Sequence, residues 1–116
     1  MVTPKNYADI TRSVSTSLRS WRSESPALIN GFNALSEAAL AEGALGKKTK
    51  ELIALALGVA AHCDACLGFH ARALVKLGAT RAEVEDALSV AVYMGGGPSL
   101  MYAADALTAF EQFASV

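Results

Sequence analysis

The apolar residues of this chain recur at helical spacing, in segments that end at glycine or proline. In the first segment Tyr7, Ile10, Val14, Leu18 and Trp21 follow one another at intervals of three and four residues. These intervals place them on one face of an α-helix. Alanine and leucine dominate the remaining segments and β-branched residues are sparse, which favours helices over strands. We therefore predict an all-α protein.

Cap and turn residues divide the chain into six predicted helices. Ser25 and Pro26 have the preferences of an N-cap and a first helical residue. Thr80 and Glu83 have the spacing of a capping box, and a glycine run before Pro98 breaks the chain ahead of the last helix. The predicted helices cover residues 7 to about 22, 26 to about 43, about 47 to 61, about 64 to 77, 80 to about 94 and about 99 to 113. We predict one domain, a helical bundle spanning residues 1–116, since this length suits a single core.

Charge and hydropathy exclude several classes of protein. The net charge of −1 gives no electrostatic reason to bind nucleic acid or an anionic membrane surface. The longest apolar run, residues 52–61, is too short to cross a bilayer. Residues 1–7 lack the apolar region of a secretory signal. We predict a cytoplasmic protein, in which a pair of cysteines is more often catalytic, redox-sensing or metal-binding than a permanent crosslink.

The apolar content exceeds what so small a domain can bury. Apolar residues make up 53% of the chain, against roughly 45–50% in soluble domains. The third predicted helix is apolar on nearly all sides, which is typical of a helix buried in a core or an interface. We therefore predict a homo-oligomer.

Both cysteines and both histidines lie within nine residues, from His62 to His70. Cys63 and Cys66 are three residues apart, and His70 follows Cys66 by four. On a helix this spacing puts the two thiols and the His70 imidazole on one face. Two thiols one turn apart can close a disulfide, and an imidazole one turn further can take the proton of Cys66.

Glu51 can join this group if the chain reverses near residues 62–64. The two helices then run antiparallel, with Glu51 twelve residues before Cys63 and His70 seven after it. The axial mismatch is roughly 7 Å, which tilt and long side chains can close, so Glu51 would orient or charge-balance His70. The reversal also puts the Cys-x-x-Cys at a helix N-terminus, where the helix dipole favours a thiolate. His62 has no such partner by spacing.

Other interpretations of the cysteine pair remain open. Zinc would need two cysteines with His62 or His70, but structural zinc sites draw on separated ligand pairs, so we predict no metal and no resident cofactor. Two inert buried thiols are a second alternative. A thioredoxin-like motif would need a βαβ unit, which the helical pattern lacks.

The order Glu51, eleven residues, Cys63, two residues, Cys66, three residues and His70 resembles the signature of the alkyl hydroperoxidase D family, within the carboxymuconolactone-decarboxylase-like fold. Segments 43–45, 50–53, 77–80 and 94–98 also resemble that family, so the likeness covers roughly residues 26–102. It implies an all-helical trimer or hexamer. It also implies reduction of a hydroperoxide substrate, with a dithiol or thiol-protein as the reductant.

We assign the catalytic roles to Cys66 as the attacking thiolate, His70 as its base, Glu51 as the group that orients His70 or relays the proton, and Cys63 as the thiol that closes the disulfide. The chain departs from the family signature at one point that bears on the rate of turnover. Peroxidases of this family often carry a histidine between the cysteines, where this chain has Asp64 and Ala65. Asp64 would disfavour a thiolate on Cys63. A sensing or binding module without efficient turnover therefore stays open, as does a lactone decarboxylase of the same fold, which does not need the cysteine pair.

Overall fold

Six α-helices account for almost all of residues 4–116, the part of the chain that the computed structural model describes. Residues 1–3, on which part of the secretory-signal prediction rests, lie outside it. No strand occurs in the described part, so the all-α prediction is confirmed. The helices are α1 (Tyr7–Glu24), α2 (Pro26–Leu40), α3 (Lys47–Ala60), α4 (Asp64–Lys76), α5 (Arg81–Gly95) and α6 (Gly97–Ala114).

The helix ends follow the capping signals of the sequence. Thr80 and Glu83 form the predicted capping box, in which each side chain bonds the backbone N–H of the other. Pro26 opens α2 directly after Ser25. Gly96 lies between α5 and α6 and has a φ of 74°. A residue with a Cβ rarely adopts a positive φ, so this break between the helices favours glycine. The predicted ends of the other helices agree to within two residues, whereas α2 stops three residues before Gly43.

Helices α3 to α6 share one hydrophobic core, and α4 packs against α1, α3 and α6. Each core residue comes from the inward stripe of its helix, at the spacing of three and four that the sequence shows. The largest buried side chains of this core are those of Tyr7, Leu55, Val59, Leu67, Leu74, Val84, Leu88 and Phe110. The position of α4 fixes the cysteine pair at the end of the bundle where α3 turns into α4.

Helix α2 stands apart from this core. It packs mainly against α1 and reaches α3 only briefly, and Ile29 is its one buried residue. Leu28, Phe32 and Leu35 share a face, and each exposes more than half of its side chain. The radius of gyration is 14.5 Å, against about 13 Å for a compact domain of this size. The chain therefore presents an apolar helix face that it does not cover itself.

The third helix divides its apolar residues between the core and the surface. Leu55 and Val59 are fully buried, whereas Ile53 and Leu57 are exposed. One side of α3 thus confirms the predicted burial in a core, and the other side is left open in the single chain. None of the helices within residues 4–116 combines the length and the apolar character that a membrane span needs.

Candidate active site

A tight turn at residues 61–63 reverses the chain between α3 and α4, as the sequence predicts. Among residues 4–116, His62 is the one residue other than glycine with a positive φ, at 56°. This left-handed conformation is uncommon for a residue with a Cβ. The Cys63 N–H then donates to the Gly58 carbonyl at 3.0 Å. The reversal brings the start of α4 back against the end of α3.

The cysteine pair occupies the N-terminus of α4. Cys63 is the N-cap, with an extended backbone, and its sulfur accepts a hydrogen bond from the Cys66 N–H at 3.2 Å. Asp64 does not cap this helix, because it is already the first helical residue. An N-cap precedes the helix and has non-helical dihedral angles, and here the turn gives that position to Cys63. One N-terminal amide group of α4, that of Cys66, therefore points at the Cys63 sulfur.

Cys63 and Cys66 are joined by a disulfide, and their Cα atoms lie 5.2 Å apart. Both residues are half-buried. A Cβ added at Gly58 would lie 3.0 Å from the Cβ of Cys66, which is tighter than most Cβ contacts in proteins. Glycine at this position of α3 therefore lets the second cysteine sit close against α3.

Glu51 and His70 meet across the α3–α4 contact. The His70 Nδ1 lies 2.6 Å from the Glu51 Oε2, although the residues are nineteen apart in the chain. The Glu51 side chain is 5% exposed and that of His70 is 26% exposed. A carboxylate can only accept a hydrogen bond, so His70 donates from Nδ1, which leaves its Nε2 free to accept a proton. The sequence predicts this pairing from the reversal and the long side chains alone.

The Glu51–His70 pair and the disulfide lie at neighbouring turns of α4. Glu51 holds His70, and His70 lies one helical turn after Cys66 on α4, a spacing at which side chains are neighbours on a helix. Cys63 is bonded to Cys66 at the helix end. Within residues 4–116, no three side chains of His, Cys, Asp or Glu are grouped so that they could hold a metal ion. The arrangement can take up a proton from a thiol and store two electrons as a disulfide.

Lys5, Asp105 and Tyr102 also lie near the start of α4, and no sequence pattern pointed to them. The Lys5 Nζ lies 3.0 Å from an oxygen of Asp64 and 3.0 Å from an oxygen of Asp105. The Tyr102 ring stacks on the ring of His62 with centroids 4.7 Å apart. His62, unassigned in sequence, therefore packs beside the cysteine pair. Asp64 is not a lone negative charge beside Cys63, because Lys5 pairs with it.

Comparison with known proteins places these features in a family. Residues 26–109 match the model of the carboxymuconolactone decarboxylase family. An uncharacterized protein of Cupriavidus necator is 41% identical over 86 residues, which cover 74% of this chain and 76% of that protein. "Uncharacterized protein 4 in cox locus" of Paracoccus denitrificans is 35% identical over 83 residues, which cover 72% of this chain and 75% of that protein.

A solved structure has the same fold. The apo crystal structure of a carboxymuconolactone decarboxylase family protein from Legionella pneumophila is 57% identical in sequence to this chain. The two superpose with a TM-score of 0.91 over 93% of this chain and 96% of that chain. The resemblance stated from the sequence is thereby confirmed at the level of family and fold.

Proposed function

The chain belongs to the carboxymuconolactone decarboxylase family, and we propose that it reduces hydroperoxides through a dithiol–disulfide cycle. Its residues 51–70 resemble the signature of the alkyl hydroperoxidase D family. The observation that carries this proposal is the position of the Cys63–Cys66 disulfide at a helix N-terminus, with the enclosed Glu51–His70 pair one turn further along. A helix N-terminus favours a thiolate, and a held imidazole favours its formation.

The first half of the cycle oxidises the cysteine pair. His70 takes the Cys66 proton at Nε2, and the buried Glu51 carboxylate stabilises the resulting imidazolium. The Cys66 thiolate attacks the terminal peroxide oxygen, the O–O bond breaks, and the alkoxide leaves as an alcohol after it receives the proton from His70. Cys66 is now a sulfenic acid. The Cys63 thiol attacks the Cys66 sulfur, which forms the disulfide and releases one water molecule.

The second half returns both electrons from an external donor. A dithiol, either small or carried on a protein, attacks the disulfide, forms a mixed disulfide and then closes its own disulfide as the cysteine pair leaves reduced. One peroxide and one dithiol are thus converted to an alcohol, water and one donor disulfide. We place this cycle in the cytoplasm, where thiol donors keep cysteine pairs reduced.

A redox sensor is the second candidate function. It is favoured by Asp64 and Ala65, which stand where family peroxidases often carry a histidine between the cysteines, so one potential base is missing from this site. A sensor of this kind would be oxidised once by peroxide and would transmit that state without sustained turnover. The enzyme and the sensor therefore differ in the number of peroxide molecules reduced per chain.

A thiol titration tests the proposed chemistry. Reduced protein is expected to lose both thiols together after one equivalent of an organic hydroperoxide, with a mass decrease of two hydrogen atoms, because the second cysteine closes a disulfide on the first. The corresponding alcohol, which has no O–O bond and cannot oxidise thiols, serves as the control compound. Continued peroxide loss with excess dithiol supports the enzyme, and a single turnover supports the sensor. Thiols that survive the hydroperoxide would contradict both.

We also propose that the protein is a homo-oligomer, with a second copy covering apolar faces left open in one chain. Leu28, Phe32 and Leu35 on α2 form one such face, and Ile53 and Leu57 on α3 belong to another. Exposed apolar faces of this kind mark interfaces. Light scattering is expected to return three or six times the chain mass of 12.0 kDa. A monomer at micromolar concentration would contradict this proposal.

A further inference from the structure

A lysine from the N-terminal segment is bound at the start of α4. The Lys5 ammonium lies within 3.0 Å of one oxygen each of Asp64 on α4 and Asp105 on α6. It also lies over the Tyr102 ring, 5.3 Å from the centroid. The two carboxylates raise the pKa of Lys5, Asp64 contributing most, so the side chain stays charged. The Lys5 ammonium thus links α4, which begins at the cysteine pair, to α6.

The backbone around Lys5 is held in place independently of this cation. Gln112 on α6 donates a hydrogen bond from Nε2 to the Lys5 carbonyl at 2.8 Å. The same side chain accepts from the Tyr7 N–H at 2.9 Å. Tyr7 itself is fully buried at the start of α1. The segment that carries Lys5 is therefore anchored to α6 by two hydrogen bonds of the Gln112 side chain, and loss of the ammonium alone leaves that anchor intact.

We propose that Lys5 is a positioning residue for the redox pair, which neutralises the Asp64 carboxylate and thereby favours the thiolate of Cys63 when the pair is reduced. The inference deepens the proposed dithiol cycle, in which the Cys63 sulfur must attack Cys66. It assigns a role to a residue fifty-eight positions before Cys63.

The groups around the Cys63 sulfur have opposing effects on a negative charge there. The Cys63 sulfur accepts the Cys66 N–H at the N-terminus of α4, which stabilises negative charge there. Asp64 is the next residue, and its carboxylate would oppose that charge. The Lys5 ammonium, which also binds Asp105, contacts this carboxylate directly and offsets part of its negative charge. The Lys5 and Asp64 side chains are about 40% exposed, so solvent screens the pair and the expected effect is moderate.

Other titratable groups around this end of the bundle are retained in every Lys5 variant. They come from α1, the turn, α3, α4 and α6. These groups are Tyr7, His62, Glu51, His70, Tyr102 and Asp105. Lys5→Met also removes the contacts of Lys5 with Asp105 and Tyr102, so the effect of the Asp64 carboxylate is isolated by comparing Lys5→Met with and without Asp64→Asn.

The test uses full-length protein with Cys66→Ser, so that Cys63 is its one thiol. The rate of alkylation by iodoacetamide is measured across the pH range around the ordinary thiol midpoint, since only the thiolate reacts. Adding Lys5→Met is expected to move the midpoint of the profile to higher pH. At pH values below the midpoint, adding Lys5→Met should lower the alkylation rate of Cys63 about three-fold. The loss of a fully buried charge would have a larger effect.

Three further variants separate charge from structure. Lys5→Arg keeps the cation and should retain the original profile, and Lys76→Met removes a lysine at the far end of α4 and should leave the profile unchanged. Lys5→Met combined with Asp64→Asn should recover most of the lost rate, because the opposing carboxylate is gone. An unchanged profile in Lys5→Met, or no recovery in the combined variant, would overturn the inference. No peroxide is used, so this outcome is independent of the proposed function.

Discussion

Replacing Cys66 with serine is expected to lower dithiol-dependent peroxide reduction to the uncatalysed background, a loss of roughly three orders of magnitude or more. A serine hydroxyl is a far weaker nucleophile near neutral pH and forms no sulfenic acid, so neither half of the cycle can proceed. Cys66 is half-buried against Gly58, and serine is slightly smaller, so the packing of α3 on α4 should survive. The measurement is the initial rate of hydroperoxide loss with excess dithiol at neutral pH, with helix content compared by circular dichroism.

Cys63→Ser is the matched control, since it makes the same change at the other sulfur of the disulfide. It should still react once with hydroperoxide, because Cys66 and His70 remain. Without the Cys63 thiol the Cys66 sulfenic acid cannot condense. It should persist as a mass gain of one oxygen that a sulfenic-acid reagent captures. Peroxide-dependent sulfenic acid on Cys63 in the Cys66→Ser protein, together with an inert Cys66 in the Cys63→Ser protein, would reverse the two roles.

Much of the site could be predicted because its parts are close in sequence or share a helix. The spacing of Cys63, Cys66 and His70 gives their common face without knowledge of the fold. Glu51 required one additional step, a reversal of the chain between two helices. The structure contains that reversal and closes the expected axial gap with a 2.6 Å contact between Glu51 and His70. Local periodicity therefore placed the thiols and His70, whereas the pairing of Glu51 depended on a chain reversal that the sequence offered only as a condition.

The charges around Cys63 could not be predicted in the same way. Lys5 lies fifty-nine residues before Asp64 and one hundred before Asp105, and no periodic pattern links them. Their contact depends on how α1 and α6 pack around α4. Asp64 illustrates the consequence, since from the sequence it is only a negative charge next to Cys63. The backbone of the turn makes Cys63 the cap, and Lys5 binds the carboxylate.

The surface of α2 shows a further limit of sequence patterns. Spacing identifies Leu28, Phe32 and Leu35 as one apolar face, but it does not say which surface covers that face. In the folded chain α2 extends along α1, away from the core, and the face stays exposed. The periodicity that predicts a core helix therefore also fits a helix that buries its face in another subunit.

Replacing His70 with glutamine is expected to lower peroxide reduction at neutral pH by about 10² to 10⁴-fold, the usual contribution of a general base. Glutamine retains an amide N–H that can donate to the buried Glu51 carboxylate, so this carboxylate keeps a hydrogen-bond partner. The loss should shrink as the pH rises past the ordinary thiol range of about 8.5, because Cys66 then ionises without a base.

His62→Gln is the matched control for that experiment, since it makes the same change at the other histidine of the chain, which stacks on Tyr102 rather than binding Glu51. It should change the rate by no more than about three-fold, the range of a moderate electrostatic effect at an exposed site.

The rate of Glu51→Gln should fall between those of the two histidine variants, because the amide oxygen still accepts from His70 Nδ1 but no longer balances the imidazolium charge. The initial rates of all three proteins with one hydroperoxide and one dithiol, measured from neutral to alkaline pH, test this order. If His62→Gln is the slower histidine variant, or if the His70→Gln rate does not recover at alkaline pH, then His70 is not the base and the Glu51–His70 pair is a structural contact between α3 and α4.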